Sequence, residues 1–290
     1  MHQRTVVLTL LLTLLAGARG SAHFHLLIPE RPAAKQGDKV VFTYAFGHPY
    51  EHEMFDTQPP AAAVVLTPNG KTVELGKALE KIAIAGREGK EVSAFRFIYQ
   101  PAERGDHVFL FTSPPVWMPE EKHFLEDRTK VILHVETQNG WDREVAPNKP
   151  DPVGPAEQLS EILPLTRPYG LAPGMAFRVE VTGLRVWKYP GRPRQSANVE
   201  LPMHRALVEV ERYNSAPPKE LPADEQITRT ARTDALGTAT VTLTSSGWWC
   251  IVAVKNAGRM QDRGGEQQPV IQRATLWVHV DEPVRGKTGE

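Results

Sequence analysis

Apolar and polar residues alternate with a period of two through most of the chain, in short runs rich in β-branched and aromatic residues, which is the signature of half-buried strands. In the first half the runs cover residues 39–46, 61–67, 92–99, 107–112 and 130–136; in the second they cover 177–182, 206–212, 227–233, 238–243, 248–254 and 274–279. Gly37-Asp38, Pro68-Asn69-Gly70-Lys71, Gly105-Asp106 and Asp234-Ala-Leu-Gly237 fall between runs and supply the residues that tight antiparallel connections need. Only residues 76–85, where Leu79 and Ile82 stand three apart, offer a helical spacing, and a short helix or loop is predicted there. Residues 146–155 read Ala-Pro-Asn-Lys-Pro-Asp-Pro-Val-Gly-Pro, without periodicity and with prolines that favour extended, solvated backbone. The expected fold is therefore all-β, with two β-sandwich domains of immunoglobulin-like or Greek-key type in tandem. They would span 23–145 and 158–281, with a Pro-rich linker at 146–157 and a polar tail at 282–290.

Length agrees with this count, because 290 residues are too many for one ordinary sandwich and suit two. The 25 prolines and 22 glycines interrupt the chain too often for long helices. Lys and Arg total 34, as do Asp and Glu, so no basic excess suggests a nucleic-acid partner. A single cysteine, Cys250, excludes an intramolecular disulfide, and its apolar surroundings predict burial.

The first two dozen residues change the picture. Arg4, an apolar stretch from Val6 to Leu15 and then Ala16, Gly17, Ala18, Gly20, Ser21 and Ala22 have the layout of a signal peptide over residues 1–22. The apolar stretch is about half the ~20 residues a spanning helix needs, and no later segment is apolar enough to span. An extracytoplasmic location, periplasmic or secreted, is expected. Small residues at −3 and −1 allow cleavage after Ala18 or after Ala22. The second site leaves a leader of ordinary length and starts the product at His23-Phe24-His25.

That start carries candidate chemistry. Residues two apart in a strand share a face, so the His23 and His25 rings can reach one site while Phe24 turns the other way. If His23 is the amino terminus, its amine and ring can chelate together. Alternatively the amine, two backbone nitrogens and the His25 ring can form a planar four-nitrogen site, which suits Cu(II) or Ni(II) and not Ca or Mg. A second cluster, Gly47-His48-Pro49-Tyr50-Glu51-His52-Glu53, follows directly on the 39–46 strand, where loops present binding groups on a rigid scaffold. The candidate metal ligands are His23, His25, His48, His52 and Glu51, meeting at one end of a sandwich. His107 and His134 lie in predicted strands and read as structural. The run 120–128, of mixed charge around Phe124-Leu125 and containing His123, reads as a solvated connection. Trp141, Trp248 and Trp249, each beside or near glycine, read as packing aromatics. No nucleophile elbow, phosphate loop or His-Glu-x-x-His run is present, so a hydrolase has no support and a non-enzyme is expected.

The start His23-Phe-His-Leu-Leu-Ile-Pro29, then Gly-His48-Pro-Tyr-Glu51, Gly105-Asp-His-Val-Phe, Glu161-Ile-Leu-Pro-Leu-Thr-Arg-Pro168, Thr233-Asp-Ala-Leu-Gly237 and Gly247-Trp-Trp resemble an extracytoplasmic domain family found beside nickel and cobalt uptake systems. The likeness covers nearly the whole chain after residue 22. It implies a pair of β-sandwich modules, His23 and His48 as the motif histidines, and a soluble partner to a membrane metal transporter; His25 and His52 are extra to the pattern. The expected function is an exported metal-binding protein for Ni(II), Co(II) or Cu(II), with affinity falling below about pH 6.5 as imidazoles protonate. Two alternatives stand beside it: a surface or adhesion sandwich without metal, and a copper oxidase built on an amino-terminal histidine.

Overall fold

The computed structural model describes residues 23–136, 157–188 and 196–283. The expected leader, Trp141, the Pro-rich linker up to residue 156 and the tail from 284 lie outside the described residues. The first half holds β1 (Phe24–Pro29), β2 (Ala33–Ala34), β3 (Val40–His48), β4 (Glu53–Phe55), β5 (Ala62–Leu66), β6 (Thr72–Glu74), β7 (Glu80–Ala85), β8 (Glu91–Tyr99), β9 (Gly105–Thr112), β10 (Val116–Met118) and β11 (His123–Val135). The second holds β12 (Glu157–Pro164), β13 (Ala176–Lys188), β14 (Ser196–Pro202), β15 (Leu207–Arg212), β16 (Arg229–Arg232), β17 (Thr238–Thr242), β18 (Gly247–Gln261) and β19 (Gln267–Val280), with one helical turn at Asp224–Ile227. The fold is all-β, and among the described residues no sheet closes into a barrel.

Three sheets form. A five-stranded sheet runs β1-β3-β8-β7 with β4 added to β3; a four-stranded sheet runs β12-β13-β14 with β17 on β13. The third has ten strands in the order β16-β15-β18-β19-β11-β9-β5-β6, with β10 and β2 on β11, and it passes from one half of the chain into the other. The joint is a parallel pairing of β11 with β19, Phe124 opposite Val270 through Val131 opposite Trp277.

Side-chain alternation along β18 and β19 explains why one sheet serves two cores. Cys250, Val252 and Trp277 face a core that contains Phe24, Leu27, Phe42, Tyr44, Phe97, Phe109, Phe111 and Leu133. Trp249, Ile251, Leu276 and Val278 face the opposite core, with Phe177, Val179, Val181, Val208 and Val210. A strand covered on both faces reads as a continuous apolar run, which is what Trp248 to Val254 is. The halves are further tied by buried Lys130 of β11, which pairs with the buried Glu161 carboxylate of β12 and donates to the Ile162 carbonyl at 3.1 Å.

Two expectations are corrected. Residues 76–85 contain a single 3-10 turn at Gly76–Ala78 and then the edge strand β7, because Ile82 and Ile84 alternate against β8 and outweigh the Leu79–Ile82 spacing. The run 120–128 is a strand from His123 onward, with Leu125 and Asp127 fully buried. Cys250 is buried as expected, and burial pushes its thiol up. Among the described residues, no helix is long and apolar enough to cross a membrane.

Candidate functional site

The site begins with how β1 is held. His25 donates its backbone N–H (3.3 Å) and its ring Nδ1 (2.6 Å) to Asp127 Oδ2, and Trp277 Nε1 donates to the His25 carbonyl at 3.1 Å. Arg273 completes the arrangement with two bonds to Asp127, each 2.6 Å. His25, Asp127 and Arg273 are all buried, so His25 is committed to an internal ion network and not to an open site. Its ring lies against Tyr44 and Phe46. The alternation predicted for this segment does hold in one respect, since His23 and His25 both pack on Phe46.

β3 delivers the second histidine. It ends at His48, turns through residues 49–52 and returns as β4, with His48 opposite Glu53 and Gly47 opposite Met54. Gly47 is required by that close approach, because a Cβ there would lie 2.2 Å from the Glu53 carbonyl oxygen and 2.9 Å from Met54 Cα. Gly47→Ala should therefore destabilise the fold by about 1–3 kcal/mol, the usual cost of forcing extra volume into packed structure. Urea denaturation measures this, and an unchanged midpoint would contradict it. His52 closes the turn at φ 56°, in the left-handed region that histidine tolerates better than most residues.

The second half of the chain clasps this loop. Asn214 donates its backbone N–H to the Pro49 carbonyl (3.0 Å) and its Nδ2 to the Tyr50 carbonyl (2.6 Å), while Tyr50 N–H donates to Glu211 Oε1 at 3.0 Å. His52 Nδ1 donates to the Asn214 carbonyl at 2.8 Å, which holds the His52 ring beside Tyr213. Glu211 is fully buried, and burial pushes its carboxyl up to about 7 even though Thr228 and Tyr50 donate to it.

Of the five residues singled out by the sequence, three are thus brought together. The His23 and His48 rings stand edge to face with centroids 4.2 Å apart and a 76° angle between planes, enclosed by Phe46 and Phe55. Glu51 Oε2 is 3.9 Å from His48 Nδ1, beyond hydrogen-bond reach, and is a buried oxygen without a hydrogen-bond partner. Burial and then His48 hold the His23 ring down at about 4, against the upward pull of Glu121 and Glu51. Burial raises the Glu51 carboxyl, yet His48, the Glu51 backbone and His23 outweigh it and keep it below its ordinary value. The ligating forms of these groups, neutral imidazole and ionised carboxylate, are thus the favoured ones for His23 and Glu51. Among the described residues, no set of three or more His, Cys, Asp and Glu side chains is arranged as a metal shell. The donor types fit a transition metal, and the number of protein side chains does not complete one.

Residues 20–256 match a family described as a domain of unknown function, DUF4198. The chain belongs to that family. No curated protein matches it. Among solved structures it is similar to a DUF4785 family protein from Legionella pneumophila, at 10% identity and a TM-score of 0.26, covering 81% of this chain and 52% of that one. It is also similar to dimeric latent PorU from Porphyromonas gingivalis, at 11% identity and a TM-score of 0.23, covering 89% of this chain and 20% of that one. The chain spans about half of the first and a fifth of the second. Likenesses this distant carry no argument about fold or function.

Sequence reasoning did not reach Asp127, Arg273, Glu211 or Asn214, which position β1 and the His48 loop. None of them sits in a motif. Their only local signal is a charge at an inward-facing strand position, as with Asp127 between Leu125 and Thr129, and that signal is not specific.

Proposed function

We propose that this DUF4198 protein binds a first-row transition metal, Ni(II), Co(II) or Cu(II), outside the cytoplasm through the His23 and His48 imidazoles with Glu51 beside them. The observation that carries the reading is the edge-to-face imidazole pair, 4.2 Å between centroids, in a site whose burial keeps His23 unprotonated. Imidazole nitrogens suit all three metals, and a carboxylate oxygen adds charge balance. If the leader is removed after Ala22, the freed amine of residue 23 supplies a further nitrogen next to the His23 ring, which makes up the number of donors that the side chains alone lack. The resemblance to domains found beside nickel and cobalt uptake systems supplies a setting, with this protein handing metal to a membrane transporter.

Calorimetric titration of protein beginning at His23 with Ni(II), Co(II) and Cu(II) tests the proposal. One metal per chain is expected, with His23→Ala and His48→Ala each weakening binding at least tenfold and His52→Ala leaving it unchanged. Unaltered affinity in His48→Ala would remove the imidazole pair from the mechanism. Copper binding kept in His48→Ala but lost in His25→Ala would point to the planar amino-terminal site instead, at the cost of disengaging His25 from Asp127. A chain that binds none of the three metals would leave a sandwich with another partner.

A further inference from the structure

His52 is the histidine of the 47–53 cluster that the metal site leaves over, and the structure gives it a different neighbourhood. It lines a cavity of about 310 Å³ together with Tyr213, whose ring stands beside its own. The floor comes from the five-stranded sheet: Leu26 is opposite Ala45 and Ile28 opposite Thr43, so these side chains and Val41 share the face turned away from Tyr44 and Phe42. Met54, Ile84 and the exposed Ala85 also line it. The volume lies at the lower end of the roughly 300–1,000 Å³ of small-molecule sites, and a mostly apolar lining with a few polar groups, here Thr43, Glu30, His52 and Tyr213, is their usual composition.

The His52–Tyr213 pair defines the ligand's chemistry. A carbonyl oxygen can only accept, so the 2.8 Å bond to Asn214 places the His52 proton on Nδ1 and leaves Nε2 of the neutral ring as an acceptor. The Tyr213 hydroxyl has no hydrogen bond among the described residues, and its ring centroid is 5.8 Å from that of His52. An acceptor and a phenol side by side match a hydroxyl group, which donates to the first and accepts from the second. Among the described residues that line the cavity, Glu30 is the only carboxylate and none is Lys or Arg, and Glu30 is already paired with Arg31 at 2.9 Å. A charged head group beside His52 and Tyr213 would therefore be desolvated without a counter-charge, which is costly.

We propose that this cavity is a second binding site, separate from the His23–His48 pair, for a small uncharged aliphatic molecule bearing a hydroxyl group. The left-handed backbone at His52, held by the Asn214 clasp, fixes this ring in the lining of the cavity. The test is methyl NMR of the full chain titrated with 1-heptanol, heptanoate and heptylammonium. Heptanol should move the Ile28, Ile84 and Met54 methyl signals saturably and leave Ile251, in the opposite core, in place. Ala85→Trp, which adds bulk to the lining at an exposed position, should weaken heptanol at least tenfold without lowering the melting temperature. Tyr213→Phe should weaken it several-fold. The proposal is overturned by the absence of a saturable shift, by an equal shift in Ala85→Trp, or by tighter binding of either charged probe than of heptanol. Metal titration is independent of these readouts, so failure here leaves the His23–His48 reading standing, and the reverse also holds.

Discussion

Asp127→Ala should cost about 3–5 kcal/mol of stability, because it strands a buried guanidinium and removes the acceptor of a buried imidazole. Asp127 is 0% exposed, Arg273 4% and His25 1%, so water cannot replace the lost carboxylate. Burial by itself would raise the Asp127 carboxyl; the Arg273 charge and the His25 hydrogen bond outweigh it and hold the group far below the usual carboxylate range. The folded state therefore binds this proton more weakly than the unfolded one. Its contribution is complete above about pH 4, the ordinary value for aspartate, and is lost as pH falls further toward the folded value. Urea denaturation between pH 3 and 7 should show acid destabilisation in the parent that is shallower in Asp127→Ala. A double change to Leu at 127 and Met at 273 should cost much less than Asp127→Ala alone, since it removes the charge along with its partner. Equal costs for the single and double variants would show that the network is not what Asp127 holds together. Because two of the three bonds that fix β1 at His25 run through Asp127, the His23–His48 spacing should loosen with it.

Glu211 should act with the opposite sign. Its carboxyl sits near 7 in the folded protein, chiefly through burial, with Glu51 adding to the rise and Thr228, Tyr50 and His48 opposing it. Between about pH 4.5 and 7 the unfolded chain releases this proton while the folded chain keeps it, so stability falls as pH rises through that window. The loss reaches up to about 3 kcal/mol above pH 7, at roughly 1.4 kcal/mol per unit. Glu211→Gln keeps an acceptor for the Tyr50 N–H and removes the titration. The variant should match the parent near pH 4.5 and exceed it at pH 8, measured by denaturation midpoints. Parallel pH profiles for the two proteins would show that Glu211 titrates normally. The windows of Asp127 and Glu211 do not overlap, so one series of measurements separates them.

The strands were legible wherever one face is buried, because burial on one side writes a period of two into the residues. Residues 92–99 and 107–112 show this and appear as β8 and β9 within a residue or two. The period was also present in Lys81-Ile-Ala-Ile-Ala85, but a three-residue spacing from Leu79 competed with it, and only pairing with β8 decides between the two. The parallel joint of β11 to β19 had no local trace, since it links residues about 146 apart through a sheet rather than a turn.

The candidate site divides along the same line. Local pattern was enough to pick out His23 and His48, one just ahead of a strand and one at a strand's end, and β1–β3 pairing does the rest by setting Phe24 against Gly47. Whether His25 and His52 would join them depended on partners far away along the chain. Asp127, 102 residues on, takes the His25 ring; the Asn214 carbonyl, 162 residues on, takes the His52 ring. A histidine's neighbours in sequence set where its backbone goes, whereas the hydrogen bond its ring makes is settled by whichever buried donor or acceptor packing leaves unsatisfied nearby.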